Sequence, residues 1–289
     1  MRSAIGIDIG GTSVKMALVE GESKVVEKTS FPFDADPYAT AENIVHIIRG
    51  MRKKVPGAPA GISCAGSISG GVIWADNLHW NAVDFGSIMQ KKLGECIPMA
   101  NDAFCAFDAE WKYGALRGQE NAVYMTIGTG IGGAIISEGR TVRGTGGIGG
   151  EIGHMVTHVG GLRCACSNHG CYEMYASARA LSRMAGGLPV REIMNRVERG
   201  ELKEVWKNYL KEVCAGMLSL MAICAPSVIA IGGGLANSGD ILLKGILDTL
   251  NETEAYPRLF HYVQICLGSF RNDAGVIGAA ELARSTGKA

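Results

Sequence analysis

Two stretches of the chain repeat one another, and the repeat narrows the possible folds more than any other feature of the sequence. Residues 7–21, IDIGGTSVKMALVEG, align with residues 125–139, MTIGTGIGGAIISEG. Each copy reads as an apolar strand, a glycine turn, a second strand and a closing Glu-Gly turn. Ile9, Gly10, Glu20 and Gly21 fall on Ile127, Gly128, Glu138 and Gly139. Duplication of one unit accounts for this match better than chance, and it predicts two similar lobes. A chain of 289 residues has room for both. We place the lobes at 1–113 and 114–289, with a final helix at 274–286 packing back on the first. Both glycine turns are expected to face one cleft.

The rest of the chain alternates between strand and helix patterns, which indicates an α/β fold. Strands are expected at 24–29, 59–64, 72–74, 97–101, 228–231 and 263–267, with a turn at 66–71. Helices are expected at 38–54, 85–93, 103–113, 173–184, 190–199, 201–225, 240–250 and 275–284. The basic run Arg49, Arg52, Lys53 and Lys54 reads as a solvated helix end, where the helix dipole favours cations. Basic and acidic residues balance to a net charge of zero, so no overall field draws the protein to nucleic acid or an anionic membrane. The most apolar stretch, 217–231, is broken by Pro226 and is too short to span a bilayer. Six of the nine cysteines are scattered singly, which suits a reducing compartment. The expected location is the cytoplasm.

The chemistry concentrates at a few places. In the first turn Asp8, Gly10, Gly11, Thr12 and Lys15 offer open backbone N–H groups, a hydroxyl and a cation, a set that suits phosphate oxygens. Asp8 could also hold Mg2+ through water. The bland alternative is an ordinary hairpin with a surface Asp. The second turn, Gly128, Thr129 and Gly130, shifts the balance, because two such turns can grip one polyphosphate. Thr126 replaces Asp8 there, so one lobe alone would supply the metal-side carboxylate. Gly233 and Gly234 could let an adenine lie against the backbone. Asp102 stands at a strand-to-helix junction. Helix N-cap is the commoner use of Asp in that setting, and general base toward a hydroxyl is the other.

The glycine-rich stretch 144–173 carries Cys164, Cys166 and Cys171, and three thiolates with one imidazole form a structural zinc set. His154, His158 and His169 compete for the fourth place. Asn77, Glu151 and Glu173 lie near turns; they are either plain surface groups or partners for sugar hydroxyls.

Taken together, these residues resemble the ROK family of bacterial sugar kinases and related repressors, within the actin-like ATPase superfamily. The resemblance covers essentially the whole chain. AIGIDIGGTSVK is similar to the family's first phosphate motif and NDA at 101–103 to its catalytic segment. TIGTGIGG at 126–133 is similar to the second phosphate motif, VIAIGGG at 228–234 to the adenosine segment and NDAGVIGAA at 272–280 to the closing helix. GEIGH followed by CACSNHGCYE resembles the zinc signature, the most specific of these signals, with Ser167 where Gly is usual.

The resemblance implies a two-lobed actin-like (ribonuclease H-like) α/β fold with a duplicated core and a central cleft. It also implies ATP-dependent phosphorylation of a hexose at the 6-hydroxyl. Asp102 becomes the catalytic base, and His154 the fourth zinc ligand. Glu151, His154 and Glu173 would bind sugar hydroxyls from one side; Asn77, Asn101 and Asp102 would do so from the other. ATP, Mg2+ and structural Zn2+ are the implied cofactors, and a homodimer or homotetramer is the expected assembly. Glu151 follows the glucokinase branch, since some N-acetylmannosamine kinases of the family carry His there; the segment 77–85 departs from typical glucokinases. Glucose is the expected substrate, with N-acetylmannosamine or N-acetylglucosamine as the alternative. A repressor of the family would carry a DNA-binding domain ahead of the first phosphate motif, which begins here at Ile5. A sensor without catalysis would need a defect that Asp102 and the two turns do not show.

Overall fold

A computed structural model describes residues 3–145 and 149–286, so residues 146–148 of the glycine-rich stretch lie outside it. The chain divides into two compact units, one made of 1–113 with 273–289 and the other of 114–272.

In the first unit, β1 (Ala4–Ile9), β2 (Ser13–Glu20) and β3 (Lys24–Pro32) form an antiparallel meander. Helix α1 (Pro37–Lys54) follows, capped by the Asp36 carboxylate, which accepts the Tyr38 N–H. β4 (Ala60–Cys64) pairs parallel to β1. A small sheet of β5 (Ser67–Ser69), β6 (Val72–Ala75) and β7 (Trp80–Asp84) comes next, then α2 (Phe85–Leu93). β8 (Met99–Asn101) pairs parallel to β4 and leads directly into α3 (Asp102–Tyr113). The main sheet therefore has the order β3-β2-β1-β4-β8.

Strand alternation divides β1 between two layers. Ile5, Ile7 and Ile9 join a core with Ile44, Ile48 and Met51 of α1. Ala4, Gly6 and Asp8 are on the other face, where the last helix, Ala274–Thr286, lies against β1 and β4. A Cβ on Gly6 would run into the Val276 carbonyl, and one on Gly61 into that of Ala279. Bare backbone at both positions lets the helix lie this close to the sheet.

In the second unit, β9 (Ala122–Ile127) pairs antiparallel with β10 (Ile131–Ser137), and β11 (Arg140–Thr141) extends the edge. The helices α4 (Glu173–Ala176), α5 (Ala178–Met184), α6 (Val190–Glu198) and α7 (Lys203–Cys224) follow. β12 (Val228–Gly232) is parallel to β9; α8 (Asp240–Asn251) and α9 (Ala255–Leu259) separate it from β13 (Gln264–Leu267). The final helix of the chain is thus α10. Sheet order β11-β10-β9-β12-β13 repeats the first unit's order, with the same antiparallel and parallel pairings. The α/β fold with a duplicated core is therefore as the repeat predicts. Val123, Met125, Ile229 and Ile231 pack with Tyr209, Val213 and Met217 of α7 in a buried core.

Three local expectations need correction. The single helix expected at 173–184 is broken at Ser177, whose extended backbone (ψ 167°) ends α4 and whose hydroxyl caps α5 by accepting the Ala180 N–H. The turn expected at 66–71 contains the strand β5. Asp102 is the first residue of α3, and the side chain that caps this helix is Asn101. Among the described residues no helix is long and apolar enough to cross a membrane.

Candidate functional site

Three parallel strands of the first unit carry polar residues at their carboxyl ends. In register, Asp8 of β1 lies opposite Ser63 of β4, and Cys64 of β4 lies opposite Asn101 of β8. Ser63 is fully buried and donates its hydroxyl to Asp8 Oδ1 at 2.8 Å. Lys15 is across the hairpin from Asp8, with Nζ 3.9 Å from Oδ2. Gly275, at the start of α10, adjoins the same carboxylate; a Cβ there would stand 2.8 Å from Oδ1. Burial raises the Asp8 pKa, while the Ser63 hydrogen bond and the Lys15 charge oppose the rise.

Asn101 orients the residue that follows it. Its Oδ1 accepts the N–H groups of Ala103 and Phe104 at 2.9 and 3.2 Å, and its Nδ2 donates to the Gly66 carbonyl at 2.9 Å. Among the described residues, the second amide N–H has no protein partner. Asp102 is exposed, and its Oδ1 accepts the Ala103 N–H at 2.8 Å. The surrounding protein nevertheless removes enough water to raise its pKa, and the negative charge of Asp8 raises it further. The two carboxylates therefore feel each other. Asn77 is exposed on the short 3-10 turn Asp76–Leu78, and its backbone carbonyl abuts Gly11; a Cβ on Gly11 would come within 2.9 Å of it. Thr12 is in the same exposed turn, and the Gly10 N–H closes it on the Ser13 carbonyl at 3.1 Å.

In the second unit, Gly128, Thr129 and Gly130 link β9 to β10, and the Gly128 N–H reaches the Gly130 carbonyl at 3.0 Å. Thr126, the counterpart of Asp8, accepts the Gly132 N–H on its hydroxyl at 3.1 Å. Gly233 has φ 83°, and a Cβ on it would stand 2.6 Å from the Ile127 carbonyl oxygen. Gly233 and the second turn are therefore neighbours at the end of β9, and Gly234 opens into free space.

The ligand atoms of His154, Cys164, Cys166 and Cys171 all lie within 4.8 Å of one another. Cys164 Sγ is 3.7 Å from His154 Nδ1, and Cys166 Sγ is 3.5 Å from Cys171 Sγ. Tetrahedral zinc with Zn–S of about 2.3 Å separates its ligands by roughly 3.5–3.8 Å, so the set fits zinc. The Asn168 backbone N–H lowers the Cys166 pKa, whereas burial raises those of Cys164 and Cys171. His158 is occupied elsewhere, stacked on Tyr175 at 3.7 Å with Nε2 3.5 Å from Glu212. His169 is exposed and pairs its backbone N–H with Asn168. Glu173 begins α4 with Oε1 2.9 Å from Cys164 Sγ. Glu151 is exposed just before the turn Ile152–His154, so it shares one loop with His154.

Ser63 and Gly275 belong to none of the sequence motifs' candidate site residues, yet both adjoin Asp8. Ser63 had a legible signal, a lone hydroxyl inside the apolar strand AGISC. Gly275 had none, because its contact with Asp8 joins the two ends of the chain.

The profile of the ROK family matches residues 4–286. A glucokinase of Streptomyces coelicolor is 28% identical over 98% of this chain and 98% of its own length. An N-acetylmannosamine kinase of Escherichia coli is 27% identical, again over 98% of both. In structure, the chain is similar to a ROK family glucokinase from Streptomyces griseus in complex with glucose and AMPPNP, with a TM-score of 0.84 and 26% identity over 98% of this chain and 99% of that one.

Proposed function

This chain belongs to the ROK family, and from that premise we propose that it is an ATP-dependent sugar kinase acting on the 6-hydroxyl of a hexose, with glucose as the substrate. The observation that carries the reading is the set of polar groups gathered at the carboxyl ends of β1, β4 and β8, with Asp8 bonded to Ser63 and Asp102 following Asn101 at the start of α3. Asp8 accepts the Ser63 hydroxyl and Asp102 accepts the Ala103 N–H, so each carboxylate has a different set of partners.

Asp102 takes the proton of the sugar hydroxyl as its oxygen attacks the γ-phosphorus in line, and ADP leaves. Asn101 holds Asp102 in place through the helix start that both residues share. The first turn, with Thr12 and Lys15, and the second turn, with Thr129, bind phosphate oxygens through backbone N–H groups and hydroxyls. Gly233 and Gly234 border the adenosine. Asp8 would hold Mg2+ through water, and the cation supplies charge neutralisation at the phosphates. Ser63 and Lys15 keep the Asp8 carboxylate oriented for that task.

His154, Cys164, Cys166 and Cys171 would hold zinc. With Nδ1 turned to the metal set, His154 keeps Nε2 for a sugar hydroxyl, alongside Glu151 and Glu173. A closed four-ligand set leaves the metal no open position for catalysis. Asn77 and the free amide N–H of Asn101 complete the sugar contacts. A cytoplasmic homodimer or homotetramer is part of this reading.

An N-acetylhexosamine is the second reading, favoured by the likeness to N-acetylmannosamine kinase; Glu151 supports glucose. A coupled assay for ADP with glucose, mannose, fructose, allose, N-acetylmannosamine and N-acetylglucosamine decides between them. Turnover with glucose well above the N-acetylated sugars is expected. The opposite order moves the assignment to the second reading, and no ADP from any sugar with Mg2+ present removes the kinase.

A further inference from the structure

One short segment connects the zinc knot to the second glycine turn. It begins at Cys171 and ends at Ala178. Tyr172 anchors it: the ring is buried, and its hydroxyl donates to the Val213 carbonyl of α7 at 2.6 Å. Next comes Glu173. One carboxylate oxygen faces Cys164, and the other occupies the space beside Gly130, 2.5 Å from where a Cβ would be. The segment then breaks at Ser177. Because the helix restarts there, the Ala178 N–H has no partner in the preceding turn, and it donates to the Gly128 carbonyl at 2.8 Å. The second glycine turn is therefore hydrogen-bonded by Ala178 at Gly128, with the Glu173 carboxylate packed beside Gly130.

Glycine-rich turns have the most conformations to lose on binding. A turn already fixed by its neighbours binds phosphate with less ordering cost. We propose that the segment from Cys171 to Ala178 is a brace coupling the metal knot to the nucleotide turn. Glu173 and Ala178 act as positioning residues, so the filled metal site raises affinity for ATP as well as shaping the sugar pocket. The inference rests on the kinase reading, and it gives Glu173 a role beyond contact with a sugar hydroxyl.

Ala178→Pro is the cleanest probe. Residue 178 is the first of its helix, where proline is accepted, and the extended backbone of Ser177 suits a residue before proline. The change removes the N–H to Gly128 and little else. Nucleotide affinity is read without sugar, by titrating a fluorescent non-hydrolysable ATP analogue with Mg2+ into metal-loaded protein. Ala178→Pro should weaken it about five- to tenfold, the scale of one lost hydrogen bond. The KM for sugar and the zinc content should stay near wild type. Zinc-stripped protein that keeps its far-ultraviolet circular dichroism should show a similar loss. In a second variant, Glu173→Ala, the same sugar-free titration should show a similar weakening of the analogue, because the carboxylate beside Gly130 is lost.

Unchanged affinity in folded Ala178→Pro overturns the brace. If that variant does not fold, unchanged affinity in folded Glu173→Ala overturns it instead. Wild-type protein that binds no nucleotide at all is a different result, and sinks the kinase reading itself.

Discussion

Ser167 occupies a left-handed backbone position, with φ 72°, between the second and third cysteines of the knot. A residue with a Cβ costs roughly 1–2 kcal/mol in that region, and glycine costs little. Glycine also loses more freedom on folding, by roughly 0.5–1 kcal/mol. Ser167→Gly should therefore stabilise the metal-loaded protein by about 0.5–1 kcal/mol, seen as a higher thermal midpoint, while Ser167→Ala should give no gain. Equal midpoints for Gly and Ala would mean that the loop relaxes to avoid the strain. At the position proposed as catalytic, Asp102→Asn keeps the shape and removes the proposed base. It should reduce turnover by roughly 10²–10⁴-fold with sugar binding retained, as measured by calorimetry. The raised pKa of Asp102 has a defined sign. The proposed base acts in its ionised form, so kcat/KM should fall as pH falls, at a pH above the ordinary Asp value of about 3.9. Since Asp8 contributes to the rise, the acid limb belongs to the pair, and Asp8→Asn should move what remains of it downward. The sequence allowed either a cap or a base at Asp102. Only coordinates show Asn101 filling the cap, because both side chains suit the role and their orientation depends on Gly66, far back in the chain.

At the scale of elements, α10 shows what a single methyl group can do. Gly6 and Gly61 give it a flat track across β1 and β4, and Gly278 in turn lies on the Cys105 carbonyl of α3. Overpacking at a rigid backbone contact costs about 1–3 kcal/mol, or more where nothing can move. Gly6→Ala, whose Cβ meets Val276 backbone, belongs at the upper end, near about 3 kcal/mol. Gly50→Ala, on the exposed side of α1 with open space around it, should be neutral or slightly stabilising. Chemical denaturation of both variants measures the contrast, and equal effects would contradict the close track. Helices with a clear apolar stripe, α1 and α7 above all, could be read from the sequence because burial follows the helical period. The break at Ser177 could not. EMYASARALSRM contains no proline or glycine, and the helix stops because the Ala178 N–H is drawn to Gly128. The small sheet was only partly legible for a similar reason. Its strands are short, and His79 and Ala82 adopt positive φ without being glycine.

For the molecule as a whole, the sequence repeat recovers only part of a larger symmetry. The two hairpins β1-β2 and β9-β10 align by residue, whereas β4 and β8 match β12 and β13 in sheet position without a matching sequence. Sheet order is set by packing and hydrogen bonding, which many apolar strands can satisfy. The glycine turns are legible because few other residues fit them. The proposed division of labour between two metals rests on where the polar groups lie. The zinc set belongs wholly to the second unit, and the carboxylates Asp8 and Asp102 to the first. A metal confined to four protein ligands acts through geometry, and geometry survives exchange for an ion of similar size and preference. Protein grown with Co2+ in place of zinc should carry about one ion per chain and show the visible absorption of tetrahedral cobalt thiolate. Its kcat should stay within about twofold of the zinc form, because the closed site offers substrate no coordination position. Removing the ion should lower the thermal midpoint, since metal binding adds to folding stability. Omitting Mg2+ should abolish turnover with the zinc site still full. If cobalt changes kcat tenfold or more while KM values and stability are unaltered, the ion takes part in the chemical step, and the assignment of catalysis to Asp102 and the two glycine turns would have to be redrawn around it.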